Sequence, residues 1–203
     1  MRHARPRSQA AIGFTVKSGW ASVVLLEGSA TSVRVVDSRR IELSDPGVPE
    51  SVQPYHAGFG TARSGGPKLS RLVASVARFG RQSVIDVIRE YQTGGHRLLG
   101  AGVVVGSLID PAKIANEHIR IHALEGRLFR GVVKDAATRS KLACSIWRER
   151  DLYEVAAGIL NRPEPELRVL VAALGRAVAG SWRAEHKAAA LSAWLVLAKR
   201  APK

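Results

Sequence analysis

Three side chains that could bind a metal ion lie close together in the sequence: His118, His122 and Glu125. Their spacing of i, i+4 and i+7 places them on one face of an α-helix. Imidazole nitrogens and carboxylate oxygens are ligands that zinc and related transition metals accept. The same spacing also occurs on helix flanks whose histidines only form hydrogen bonds. The sequence therefore leaves a metal site and a hydrogen-bonded flank as alternatives.

The segment that contains these residues also has a basic side and an apolar side. The apolar stripe consists of Ile114, Ile121, Leu128 and Val132, and the opposite side carries what we call the basic ridge: Arg120, Arg127, Arg130 and Lys134. Because the apolar stripe must face a core, the basic ridge must face solvent or a partner. A phosphate backbone would neutralise such a row of cations, so the basic ridge is our candidate nucleic-acid-binding surface.

The composition of the whole chain agrees with a polyanionic partner. The 203 residues include 31 Lys and Arg against 17 Asp and Glu, which gives a net charge of +14. An arginine-rich genome would produce a similar excess, so charge alone does not decide the question. The single cysteine, Cys144, rules out an intrachain disulfide and is typical of a cytoplasmic protein. No apolar stretch reaches the roughly 20 residues that span a bilayer, so we predict no membrane segment.

Strands open the chain. Residues 10–26 form two apolar runs separated by Lys17, Ser18 and Gly19, which predicts a β-hairpin, and residues 31–43 alternate as a third antiparallel strand. Residues 97–105 are a nearly unbroken apolar run, which is typical of a strand buried on both faces. We expect this strand to lie parallel to the first strand, with residues 142–147 as the fifth strand.

Helices and loops account for most of the remaining chain. Apolar periodicity predicts helices at residues 68–91 with a break around Gly80, and at 111–134, 152–160, 166–178 and 182–199. Residues 44–67 are rich in Pro and Gly and are predicted to be a long loop, in which His56 has no evident partner. The prediction is an α/β domain over residues 10–200, preceded by a basic flexible arm at residues 1–9. Its five-stranded mixed sheet has three antiparallel strands, then two parallel strands, with helices on both faces.

This order of elements resembles the ribonuclease H-like fold, and short motifs point to its resolvase, RuvC-like branch. The similar motifs are the first strand at residues 11–15, the turn Gly19-Trp20-Ala21, the run at residues 123–127 and the last helix at residues 185–191. The resemblance covers about residues 10–198, and each motif is short.

The resemblance implies a cluster of carboxylates that holds two divalent metals for phosphodiester cleavage. The acid of the first strand falls at Thr15, and the acid of the fourth strand falls near Gly106 and Ser107, with Asp110 in the loop that follows. On the last helix, Glu185 or His186 matches the first acidic position, whereas the second falls on Ala188 or Ala189. The resemblance therefore implies a site that has lost most of its metal ligands.

Three hypotheses follow. The preferred one is a catalytically degenerate ribonuclease H-like domain, a pseudoenzyme that binds nucleic acid without cleaving it and needs no cofactor. The second is a nuclease with a relocated site, which would use Mg²⁺ or Mn²⁺ at metal ligands His118, His122 and Glu125, with Glu125, Glu185 and His186 as candidate catalytic residues. The third is a protein-interaction scaffold. A homodimer or another protein partner stays open under each hypothesis.

Overall fold

The protein is described by a computed structural model that covers residues 8–58 and 61–199. Its main sheet has five strands: β1 (Gln9–Lys17), β2 (Trp20–Gly28), β3 (Val33–Glu42), β6 (Arg97–Val105) and β7 (Cys144–Arg148). Two short strands, β4 (His56–Gly58) and β5 (Thr61–Ala62), form a separate hairpin. The helices are α1 (Gly66–Thr93), α2 (Glu117–Arg139), α3 (Leu152–Leu160), α4 (Glu164–Leu174) and α5 (Ala184–Lys199).

The strand order β3-β2-β1-β6-β7 confirms the predicted mixed sheet. β1 pairs antiparallel with β2, and β2 pairs antiparallel with β3. β6 lies parallel to β1, with Phe14 opposite Val103, and β7 lies parallel to β6. Residues 10–16 of β1 and 100–105 of β6 are buried because helices cover both faces of the sheet.

One face of the sheet packs against α1 and α2. α1 is one continuous helix, so the predicted break around Gly80 is wrong. The glycine is needed for packing instead, because a Cβ at Gly80 would lie only 2.6 Å from the carbonyl oxygen of Leu43. The missing side chain lets the helix approach the end of the third strand, and the favourable packing outweighs the low helix propensity of glycine.

The opposite face packs against α5, with α3 and α4 beyond it. Every residue of α5 from 188 to 197 is buried, as the apolar sequence of the helix predicted. The helix backbone lies directly on two glycines of the central strands. A Cβ at Gly13 would collide with the carbonyl oxygen of Ala189, and a Cβ at Gly102 would lie 2.6 Å from that of Ser192. This close approach brings the start of α5 to the carboxyl end of β1.

Several predicted boundaries differ from the structure. The helix expected at residues 111–134 begins at Glu117, with Asn116 as its N-cap, because Pro111–Lys113 forms a separate 3-10 turn. The predicted loop at 44–67 contains a 3-10 turn at Pro49–Val52 and the β4–β5 hairpin. Most of the predicted basic arm, residues 1–7, lies outside the described residues, while Gln9 already belongs to β1. None of the described helices is both long and apolar enough to cross a membrane.

Candidate functional site

The carboxyl ends of the parallel strands β1 and β6 meet at one edge of the sheet, where α5 begins. The hydroxyl of Thr15 donates a 2.8 Å hydrogen bond to the carbonyl oxygen of Glu185. This contact joins the end of β1 to the first turn of α5. The resemblance to the ribonuclease H-like fold implies that metal-binding carboxylates would assemble at this edge.

The residues at this edge do not fit a two-metal site. Thr15 is buried and its hydroxyl is engaged by α5, Gly106 carries no side chain, and Ala189 is fully buried against the sheet. A Cβ at Gly106 would meet nothing within 4 Å, so packing does not exclude a larger side chain there. Mg²⁺ requires oxygen ligands, and these three positions supply no carboxylate.

The remaining polar residues near this edge have other contacts. The carboxylate of Asp110 accepts a hydrogen bond from the backbone N–H of Ala112 and thereby caps a 3-10 turn. His186 stacks on Trp182 with the ring centres 6.0 Å apart, and burial lowers the pKa of His186. Glu185 is half-buried at the start of α5. Asp110 and His186 thus each contact a residue of their own segment.

A second group of polar residues lies on the α2 side of the sheet and has Glu125 at its centre. The Glu125 side chain is completely buried, although it belongs to a helix with an exposed basic side. Its Oε1 lies 2.8 Å from Nδ1 of His56, in β4, and its Oε2 accepts a 3.4 Å hydrogen bond from Ser18 in the β1–β2 turn. A carboxylate buried in this way requires a nearby positive charge or several donors.

Two further histidines of α2 extend this group toward solvent. Nε2 of His122 lies 3.2 Å from Nε2 of His118, and both side chains are exposed. The ring centres of His56 and His122 are 5.2 Å apart. His56, His122 and Glu125 each offer one ligand atom, and these three atoms lie within 4.8 Å of one another. We call these three residues the His–Glu cluster.

The helix therefore brings His118, His122 and Glu125 to one face, as their spacing predicted. The three-residue group with mutually close ligand atoms, however, contains His56 in place of His118. The expectation that His56 has no partner is wrong, because it contacts a carboxylate 69 positions away in the chain. The sequence signal that could have found it is a histidine next to Tyr55 in a long loop rich in Pro and Gly, a type of loop that often carries function.

Two clefts lie on either side of the His–Glu cluster. His56 and His118 line the first, which has a volume of about 610 Å³ and also includes Arg63 and Glu50. His122 lines the second, which has a volume of about 320 Å³ and lies at the carboxyl ends of β1 and β6. Small molecules or ions in either cleft would reach the exposed histidine rings.

The basic ridge lies on the side of α2 that faces away from the core. Arg127 and Lys134 are exposed, whereas Arg120 and Arg130 are half-buried. Arg130 donates a 2.9 Å hydrogen bond to the carbonyl oxygen of Ser107, and burial together with the nearby Arg127 lowers its pKa. Arg130 therefore also holds the loop that follows β6, a role that the sequence pattern did not indicate.

Tyr55, which precedes His56 in the chain, is half-buried. Burial raises the pKa of its phenol, the positive charge of Arg127 opposes this shift, and the negative charge of Glu125 reinforces it. Tyr55 thus lies within electrostatic range of both groups.

The strand order, the two parallel central strands and the buried last helix define a ribonuclease H-like fold of the RuvC-like form. Comparison with solved structures supports this assignment. The structure of Thermus thermophilus RuvC matches with a TM-score of 0.55 over 92% of this chain and 92% of that chain, at 10% sequence identity. Thermus thermophilus RuvC in complex with a Holliday junction substrate matches with the same TM-score over 93% and 91%, at 11% identity.

At this level of identity the likeness concerns the fold alone. No protein-family model matches the sequence, and the search of curated proteins finds no relative.

Proposed function

We propose that this chain is a catalytically degenerate ribonuclease H-like domain that binds nucleic acid through the basic ridge and does not cleave it by the two-metal mechanism. One observation carries this proposal. The five-stranded sheet and its covering helices are present, but Thr15, Gly106 and Ala189 occupy the positions at which the fold would carry carboxylates. Two-metal hydrolysis needs several ligands together, so the loss of most of them removes the reaction while the surrounding surface stays.

The charge of the molecule supports nucleic acid as the partner. The net charge is +14, and the solved structures with the same fold include one with a Holliday junction bound. A protein with this charge excess gains affinity for phosphates by counterion release.

The basic ridge has dimensions that suit a nucleic-acid backbone. Arg120 and Lys134 are 14 residues apart on one helix, which corresponds to about 21 Å along the axis at about 1.5 Å per residue. Phosphates of one strand recur about every 3.4 Å along the axis of a duplex, so the ridge could contact several of them. Arg127, between its ends, is 3.7 Å from Asp110, a distance at which an exposed ion pair holds the arginine only weakly.

A binding titration tests the proposal. Fluorescence anisotropy would measure the affinity for duplex, branched and single-stranded DNA and RNA as a function of salt. Replacing Arg120, Arg127 and Lys134 together by Gln should weaken binding and lower the salt slope by about 2–3, since each lost phosphate contact lowers it by about 0.9. Arg130 is kept because it also holds the backbone at Ser107.

The matched control removes the same charge from another face. Arg71, Arg78 and Arg89 are exposed on α1, and their joint replacement by Gln should leave the affinity nearly unchanged. An equal loss from both triple variants would mean that net charge, and not the basic ridge, determines binding. Weak binding that neither variant changes would favour the protein-interaction scaffold instead.

A further inference from the structure

The His–Glu cluster has a chemistry that nucleic-acid binding by the basic ridge does not use. We propose that His56, His122 and Glu125 bind one divalent transition-metal ion of the zinc type. The ion would join the β4–β5 hairpin, through His56, to helix α2. This site lies on the side of the sheet that α2 covers, whereas Thr15 contacts α5 on the opposite side. The proposal does not depend on whether the chain binds nucleic acid.

The positions of the ligand atoms are close to those that a metal ion requires. Tetrahedral zinc with bonds of about 2.0–2.1 Å holds its ligand atoms about 3.3 Å apart. Nδ1 of His56 and Oε1 of Glu125 are already 2.8 Å apart, and all three ligand atoms of the cluster lie within 4.8 Å. His122 is exposed, so its side chain is free to rotate. Such a rotation can bring its ligand nitrogen to about 3.3 Å from the other two ligand atoms, as tetrahedral zinc requires.

The burial of Glu125 gives an energetic reason for a cation at this point. A fully buried carboxylate loses its hydration, and within the described residues its side-chain partners are one histidine and one serine hydroxyl. A divalent ion would compensate the charge and use the lone pairs of both histidines. It would also account for the exposed His122, whose ligand nitrogen lies within 4.8 Å of a carboxylate oxygen of the buried Glu125.

The chemical types of the three ligands favour zinc over magnesium. Two imidazoles and one carboxylate are the set found in open zinc sites, where a fourth position is left to water or another ligand. Mg²⁺ prefers an all-oxygen shell and binds such a set poorly. The exposed His122 ring leaves the fourth position toward the cleft that His122 lines, where water can fill it.

The test uses the untagged full chain after removal of metals with a chelator. Calorimetric titration with Zn²⁺ should show one ion per chain, and His122→Gln should weaken binding at least about tenfold, since even indirect partners of metal ligands contribute 10–100-fold. His118→Gln removes a neighbouring exposed histidine of the same helix and should leave the affinity within about twofold. Mg²⁺ should give no saturable heat.

Loss of affinity in His56→Asn would show that the hairpin supplies a ligand. If His56→Asn does not fold, limited proteolysis of the wild-type connection at residues 44–65 provides the same information, because bound Zn²⁺ should protect it. The proposal would be overturned by the absence of Zn²⁺ binding. It would equally be overturned if His118→Gln abolished binding, or if binding left the connection as sensitive to protease as before, since the ion would then sit on the helix alone.

Discussion

His56 and Glu125 are 69 positions apart in the chain, yet Nδ1 of the first lies 2.8 Å from Oε1 of the second. Their contact joins the long connection after β3 to a buried position of α2. It also gives the chain a polar cluster on the α2 side of the sheet, next to the cleft at the carboxyl ends of β1 and β6.

We expect His56→Ala, measured in the presence of a chelator, to reduce the free energy of unfolding by about 3 kcal/mol, because it leaves Glu125 buried without its closest partner. Denaturant unfolding measures this quantity. The double variant with Glu125→Gln should lose less than the sum of the two single variants, since the two residues interact directly. Strict additivity would show that the contact contributes nothing.

The purified protein should not cut branched DNA or RNA–DNA hybrids in Mg²⁺ or Mn²⁺. Thr15→Asp should not restore cleavage, because Gly106 and Ala189 still supply no carboxylate. Gel analysis of labelled substrates provides the measurement. Specific products that disappear in Glu185→Ala or His186→Ala would show that a relocated active site exists.

Glu27 should make the fold sensitive to acid. Burial raises the pKa of this nearly buried carboxyl, but hydrogen bonds from Ser8 and His96 and the charge of Arg34 together lower it below its ordinary value of 4.5. A lowered pKa stabilises the folded state above the unfolded pKa, and this contribution disappears as the pH falls through the folded value. Glu27→Gln should therefore lower the melting temperature at pH 7 and have a smaller effect below about pH 4. Equal destabilisation at both pH values would contradict this.

Cys144 should react slowly with thiol reagents in the native protein. Burial raises its pKa to about 11, although the positive charge of Lys134 opposes the shift. At pH 7 only about one thiol in ten thousand is then ionised, and the thiolate is the reactive form. The rate of reaction with a chromogenic disulfide, compared in buffer and in denaturant, tests this. A native rate equal to the denatured rate would show that the thiol is exposed.

Gly80→Ala should destabilise the protein by about 1–3 kcal/mol, although alanine favours helices, because its Cβ would press on the Leu43 carbonyl oxygen. Gly131→Ala in α2 is the matched control, since a Cβ there meets nothing within 4 Å. The control should stabilise the protein by up to about 1 kcal/mol. Melting temperatures that shift in the same direction for both variants would contradict the packing argument.

The sequence by itself determined the fold class, and it is the basis of the prediction that the two-metal site is lost. The two apolar runs in residues 10–26 predict a hairpin, and the unbroken apolar run at 97–105 predicts a central parallel strand. The structure places Phe14 opposite Val103 in this parallel pairing. These signals are local, because the pattern of apolar and polar residues within a few consecutive positions indicates a strand and how many of its faces are buried. The absence of a carboxylate at Thr15 and Ala189 is likewise visible in the sequence.

Only the tertiary structure decided which residues meet. The continuity of α1 through Gly80 depends on the Leu43 backbone against which it packs, and the partner of Glu125 depends on how the connection after β3 folds over α2. Helical spacing placed His118 next to His122 but could not place His56, which comes from another element. Contacts across tens of residues follow from the packing of whole elements, and a periodicity of two or 3.6 residues carries no information about them.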